Sequence, residues 1–210
     1  MFRRKDSISR VPNLRVFLTA VAKELGRDES HRVGELTSSI YADLIRNRTV
    51  PEDGVLQFHL DKYILSGLSL YRALQESRVG KEQALTLVDR AFETWAIRAR
   101  NLLRIPGRLP FCFFFMRLLT RKILSAGFPE KGWKIEWKEV SKERIAFNME
   151  SCYYLDILKS YGAPELVPLY CRVDDVVFES FSPHIRWNRT KTLGRGNDCC
   201  NFEFSTRSGS

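Results

Sequence analysis

The chain has no Walker A loop, no dinucleotide-binding glycine fingerprint, no Gly-x-Ser-x-Gly elbow and no His-Glu-x-x-His helix. Phosphate cradling by a P-loop, Rossmann cofactor binding, a serine-hydrolase elbow and zincin chemistry are therefore absent from its motifs. Histidine is scarce: His31, His59 and His184 are the only three, and none is near another in sequence. No Cys-x-x-Cys pair announces a zinc site. The longest apolar run, Leu109 to Met116, falls well short of the roughly 20 residues that span a bilayer. Asp6, Ser7, Ser9 and Arg10 interrupt any secretory h-region. These absences point to a cytoplasmic protein without a membrane span. In that compartment five cysteines, an odd number, are expected as thiols. There is no internal repeat and no low-complexity segment.

What is present is a basic chain of 210 residues, with 34 Lys+Arg against 25 Asp+Glu. Arg3, Arg4, Lys5 and Arg10 form a basic arm over residues 1–12. Between Glu93 and Glu130, Arg98, Arg100, Arg104, Arg108, Arg117, Arg121 and Lys122 meet no acidic residue. Such a stripe attracts nucleic acid, anionic lipid or an acidic substrate, or is a set of solvated helix faces. No helix-turn-helix, zinc finger or RNP-type aromatic motif accompanies it, which argues against a nucleic-acid partner.

Residues 13–126 read as helices. Asn13 is placed to cap a first helix that ends at Gly26, and a second spans about 30–46. Leu56, Leu60, Tyr63, Ile64, Tyr71 and Leu74 make the clearest apolar stripe, and a fourth helix follows Gly80. The run Phe111–Met116, apolar nearly all round, is expected as a buried helix at the centre of the bundle. In 127–205 the pattern changes. Trp133, Ile135 and Trp137 alternate with charges, then Ile145, Phe147 and Met149 alternate again, which reads as a hairpin. Helices at 153–158 and from Pro164 to about Phe178 precede strands at 185–192 and 199–205. The expected fold is α+β: one domain, 13–205, with an N-terminal helical bundle packed on a C-terminal antiparallel sheet with inserted helices. Residues 206–210 are a tail.

Four of the five cysteines fall late: Cys152, Cys171, Cys199 and Cys200. By strand parity Cys200 shares the apolar face of Phe202 and Phe204, and Cys199 points outward. Cys171, Asp174 and Asp175 sit at i, i+3 and i+4, neighbours on one helix face. Arg172, Arg189 and Arg195 are cations available to the thiol. Arg189 shares parity with Ile185 and Trp187, so an inward Arg189 needs an anion: Asp174 or a ligand carboxylate. Residue chemistry alone leaves open whether Arg189 and Asp174 are a structural ion pair, with the cysteines as small core hydrophobes. His184, after Ser182-Pro183, is a loop histidine near this region. A metal held by these Cys, Asp and His side chains is not announced by any linear spacing, and no cofactor is expected.

The ordered set Phe147-Asn148-Met149-x-x-Cys152, Gly162-x-Pro164-Glu165-Leu166, Cys171-x-x-Asp174 and Arg189-Thr190-x-Thr192-Leu193-x-x-Gly196-x-x-x-Cys200-x-Phe202 resembles the L-2-amino-thiazoline-4-carboxylic acid hydrolase family. The C-terminal pattern is also similar to vinyl-reductase-like small-molecule-binding domains. The resemblance implies a helix-flanked sheet around a small-molecule pocket, often in a homodimer, and hydrolytic opening of a thiazoline ring or a related biosynthetic ring reaction. In such a reaction Arg189 would clamp the substrate carboxylate and Asp174 would orient water. Cys152, Cys171 or Cys200 would serve as nucleophile or metal ligand, while Thr192, Gly196 and His184 would shape the pocket. The alternative is a non-catalytic binding, sensor or scaffold module on the same fold.

Overall fold

The computed structural model describes residues 10–207. Arg3, Arg4 and Lys5 of the basic arm, and the last three residues of the tail, lie outside the described residues. The fold is α+β. The chain divides into two compact units, one formed by Met1–Pro51 with Gln57–Ala91 and the other by Glu52–Leu56 with Phe92–Ser210.

The first unit is helical. Helix α1 (Leu14–Leu25) packs on α2 (Arg27–Asn47), and α2 packs on α4 (Leu65–Glu76). Asn13 stands before α1 in the left-handed region and makes no side-chain cap, contrary to its expected role. Helix α2 begins at Arg27, directly after Gly26, and so runs longer than its apolar spacing marks out. The third stripe is realised as α3 (Gly54–His59), a π-helical turn over Leu60–Ile64, and α4. That turn frees carbonyls from the regular ladder, and the Tyr41 hydroxyl donates to the Asp61 carbonyl at 3.0 Å. His59 is buried, with the rings of Phe58 and Tyr63 against it at 5.9 and 5.8 Å.

The second unit carries the sheet. Helix α5 (Lys81–Gly107) enters it at Phe92 and is followed by α6 (Cys112–Gly127). Strands β1 (Ile135–Val140) and β2 (Arg144–Met149) form the expected hairpin. Helices α7 (Tyr153–Ser160) and α8 (Val167–Phe178) are inserted before β3 (Ile185–Asn188) and β4 (Cys200–Thr206). The strand order is β1-β2-β4-β3, and every neighbouring pair is antiparallel. One face is aromatic. Phe147 stacks on Phe202 at 4.9 Å, and Phe178 of α8 meets both Trp187 and Phe204 at 5.2 Å. Each such pair adds about 0.5–1.5 kcal/mol beyond simple burial, which fixes α8 over the sheet.

Two expectations are corrected here. Helix α6 is not buried: Phe113 and Thr120 face inward, whereas Phe111, Phe114, Phe115, Leu118, Leu119 and Ile123 are exposed. Only one of its faces has a partner within the described residues of its unit. Cys199 is buried rather than outward, because β4 begins at Cys200 and Cys199 belongs to the preceding turn, where strand parity does not apply.

Gly107 ends α5 against the chain after α8. A Cβ there would lie 2.2 Å from the Phe181 carbonyl oxygen, while the Ser182 hydroxyl donates to the Gly107 carbonyl at 2.7 Å. Backbone cannot yield as a side-chain tip does. Gly107→Ala is expected to cost about 2–3 kcal/mol, the upper part of the range for overpacking, read as a lower urea midpoint with an unchanged slope.

Candidate functional site

The sequence RTKTLGRGNDCC leaves the sheet at Asn188 and rejoins it at Cys200. Side-chain amides hold this excursion in place. Asn201 Oδ1 accepts from the N–H groups of Thr190 and Lys191 at 3.0 and 2.6 Å, and Asn197 Oδ1 accepts from Thr192 N–H at 3.0 Å. Lys191 and Asp198 pair across its base at 3.0 Å. Gly196, at φ 83°, supplies the left-handed residue that closes the short turn Leu193–Arg195. These bonds substitute for ladder bonds and explain why β3 is shorter than its alternation suggests.

The turn lies on α8. A Cβ on Gly194 would stand 2.8 Å from Cys171 Sγ and 2.7 Å from Val167 Cγ1, so only glycine lets the backbone come this close. Beneath it Cys171 and Cys200 meet, both buried. The Leu193 N–H donates to Cys200 Sγ at 3.2 Å. Cys200 in turn hydrogen-bonds Cys171, which favours a thiolate on Cys171 and opposes one on Cys200. Burial resists ionisation of Cys171, but the Cys200 bond, the Arg189 charge and the nearby Thr192 side chain outweigh it. The Cys171 thiol is brought down to about 7. The Thr192 hydroxyl is buried and has no hydrogen-bond partner of regular geometry among the described residues. Cys152, at the N-terminus of α7, is close enough to disfavour charge on Cys200, and burial, with Cys171 nearby, pushes its own thiol up to about 11.

Arg189 is the cation of the cluster, and its side chain is 1% exposed. It bonds Asp174 at 3.0 Å, Asp175 at 2.8 Å and the Cys171 carbonyl, and lies over the rings of Phe202 and Trp187 at 5.2 and 5.6 Å. Crowding by protein, with Asp175 alongside, pushes the Asp174 carboxyl up to about 6 against the pull of Arg189. Its side chain is 41% exposed at one edge, and the guanidinium it faces is shared with Asp175, which explains why the ion pair does not hold the carboxyl down.

The structure thus brings together Cys152, Cys171, Cys200, Asp174, Arg189 and Thr192, with the Gly196 turn above them. It does not bring in His184, an exposed residue whose Nε2 bonds the Arg108 carbonyl at 3.2 Å. Among the described residues, no three His, Cys, Asp or Glu side chains are grouped so as to hold a metal ion.

Beside this centre is a cleft of about 290 Å³ lined by Glu93, Ile97 and Arg100 of α5, by Arg172, Asp175 and Val176 of α8, and by Glu179 and Arg195. Arg172 is committed to Glu93 at 2.9 Å and Asp175 to Arg189. The Arg100 Nε is buried and has no hydrogen-bond partner among the described residues. The turn Leu193–Arg195 touches both places, with Gly194 on the Cys171 sulfur and Arg195 on the cleft. Arg100 and Glu93 were legible only as members of a charged helix face; their convergence with α8 depends on tertiary packing.

Thiol chemistry gives a direct check. A folded pKa below the ordinary value means that the reactive thiolate of Cys171 grows in as pH rises through about 7, whereas Cys152 stays protonated until about 11. Alkylation by iodoacetamide, mapped by mass spectrometry, is expected to label Cys171 with a midpoint near pH 7 and to spare Cys152 below pH 9. A Cys171 midpoint above the ordinary thiol range would contradict this arrangement.

Fold and site together define an α+β protein with a buried dithiol beside a charged, ligand-sized cleft. The chain belongs to the L-2-amino-thiazoline-4-carboxylic acid hydrolase family, whose model matches residues 57–204 of the 210. None of the curated proteins compared matches the chain.

Proposed function

We propose that the chain is a hydrolase that opens the ring of a small, amino-acid-derived thiazoline, with Cys171 as nucleophile. The observation that carries this reading is the Cys171–Cys200 pair: one thiol favoured as thiolate, the other held as proton donor, next to Arg189. The family match supports the reaction class. The cleft supplies opposite charges for a zwitterionic ligand. Arg100 and Arg195 receive the substrate carboxylate, and Glu179 faces the protonated amidine.

In this mechanism the Cys171 thiolate adds to the ring carbon between nitrogen and sulfur. The C–S bond of the ring then breaks, and the departing sulfur takes the Cys200 proton. Water adds to the resulting thioimidate carbon, and its oxygen becomes the urea carbonyl as Cys171 leaves. One of the two water protons returns to Cys200 and the other departs through Asp174. The product is an N-carbamoyl-cysteine.

A second reading, a binding module without turnover, is favoured by one specific observation: Gly194 covers the Cys171 sulfur. Acid quenching of the enzyme with 2-aminothiazoline-4-carboxylate separates the two. Ring opening expels no fragment, so the nucleophilic mechanism is expected to add the mass of one whole substrate to the Cys171 peptide. Ligand binding with no adduct at any quench time, unchanged in Cys171→Ser, would favour the binding module.

A further inference from the structure

Helix α6 and the end of α5 carry a surface that the reaction does not use. Leu102 and Ile105 are 71% and 72% exposed, Phe114 and Phe115 52% and 51%, and Leu118 and Ile123 64% and 60%. All lie within a stretch of 22 residues, whereas soluble monomers rarely expose contiguous apolar patches larger than a few hundred Å². On α6 the pattern is two-sided: Phe113 and Thr120 face inward, and the opposite face presents Phe115, Leu118 and Leu119 around Lys122.

The charge on this surface has one sign. Arg98, Arg104, Arg108, Arg121 and Lys122 are exposed, and no Asp or Glu occurs between Glu93 and Glu130. Arg121 lies over the Trp137 ring at 4.4 Å, which keeps a guanidinium at the border of the apolar face. A second copy of the chain docked here about a two-fold axis would set arginine against arginine with no carboxylate to answer it. An anionic lipid surface answers both features, because its acyl boundary takes the aromatic and aliphatic side chains and its headgroups take the arginines. No helix among the described residues is long and apolar enough to cross a bilayer, so the contact is interfacial.

We infer that α6 and the end of α5 form a docking face for anionic membrane surfaces. The test is flotation of the full chain with vesicles of phosphatidylglycerol and phosphatidylcholine, against vesicles of phosphatidylcholine alone, at about 0.1 M salt, where screening still permits attraction. Binding to the anionic vesicles is expected to be at least about ten-fold stronger and to weaken as salt rises. The double variant Phe115→Ser/Leu118→Ser is expected to lose about ten-fold of that binding with a nearly unchanged melting temperature, because both residues are more than half exposed and the ring that Phe115 meets, Phe114, is itself half exposed. Arg104→Glu/Arg108→Glu/Lys122→Glu, also on exposed side chains, is expected to abolish the preference for anionic lipid. Equal flotation on both vesicle types, or flotation unchanged by either variant, would overturn the inference. So would a solution dimer that Phe115→Ser/Leu118→Ser dissolves in a chain that binds no vesicles.

Discussion

Cys171→Ser is expected to lower turnover of a thiazoline substrate by roughly 10³-fold or more, the scale on which removal of a nucleophile acts, while the fold persists. Serine fits the space, and its added cost is about 1 kcal/mol for burying a hydroxyl in place of a small hydrophobe. The neighbouring thiols give the contrast that makes the result specific. Cys200→Ser keeps a hydrogen-bond donor toward Cys171 but is a much poorer acid than the thiol, and is expected to lose about 10²-fold, the low end for a general acid. Cys152→Ser removes a thiol held protonated by burial and is expected to change turnover little. Activity in Cys171→Ser within a few-fold of the parent would remove Cys171 from the chemistry. Circular dichroism and melting of each variant separate lost chemistry from lost structure.

Arg189→Met is expected to lower stability by about 3 kcal/mol, the low end for a broken buried ion pair. For a chain of this size that is a fall in Tm of roughly 10 °C. The guanidinium serves two carboxylates and a backbone carbonyl from a side chain that is 1% exposed. Methionine would restore packing against Phe202 and Trp187 but leave Asp174 and Asp175 facing each other. Both carboxylates are partly open to solvent, 41% and 33%, which keeps the loss from being larger. Arg189→Lys keeps the charge but lacks the fork that reaches three acceptors, so an intermediate loss is expected. The same substitution also tests the substrate-clamp role that the family resemblance suggests for Arg189. A large rise in KM with an unchanged Tm would place Arg189 on the ligand. A fall in Tm with KM nearly constant in the surviving enzyme would place it in the scaffold of the dithiol.

Much of this arrangement is legible in the residues. Period-two alternation from Trp133 to Met149 announces the hairpin, because a half-buried strand has no other way to place its apolar side chains. The same parity puts Cys200 with Phe202 and Phe204, and helical spacing puts Cys171 beside Asp174. What escapes a linear reading is whatever depends on a partner from elsewhere in the chain. Alternation runs on to Thr192, but Asn201 captures the Thr190 and Lys191 N–H groups and ends β3 at Asn188. Cys199 looks outward only if the strand begins one residue early. The run Phe111–Met116 is apolar nearly all round and therefore reads as buried, yet only one face of α6 finds a cover among the described residues of its unit. The cleft depends on Glu93 and Arg172, which meet across a sequence separation of 79 and carry no local signature.

Turnover of 2-aminothiazoline-4-carboxylate by the purified protein, with the product identified by mass spectrometry, tests the proposed hydrolysis most directly. The expected result is an N-carbamoyl-cysteine formed catalytically, at a rate that rises with pH through about 7 as Cys171 ionises. A protein that binds this compound in its folded state yet leaves the ring intact at every pH would contradict the account.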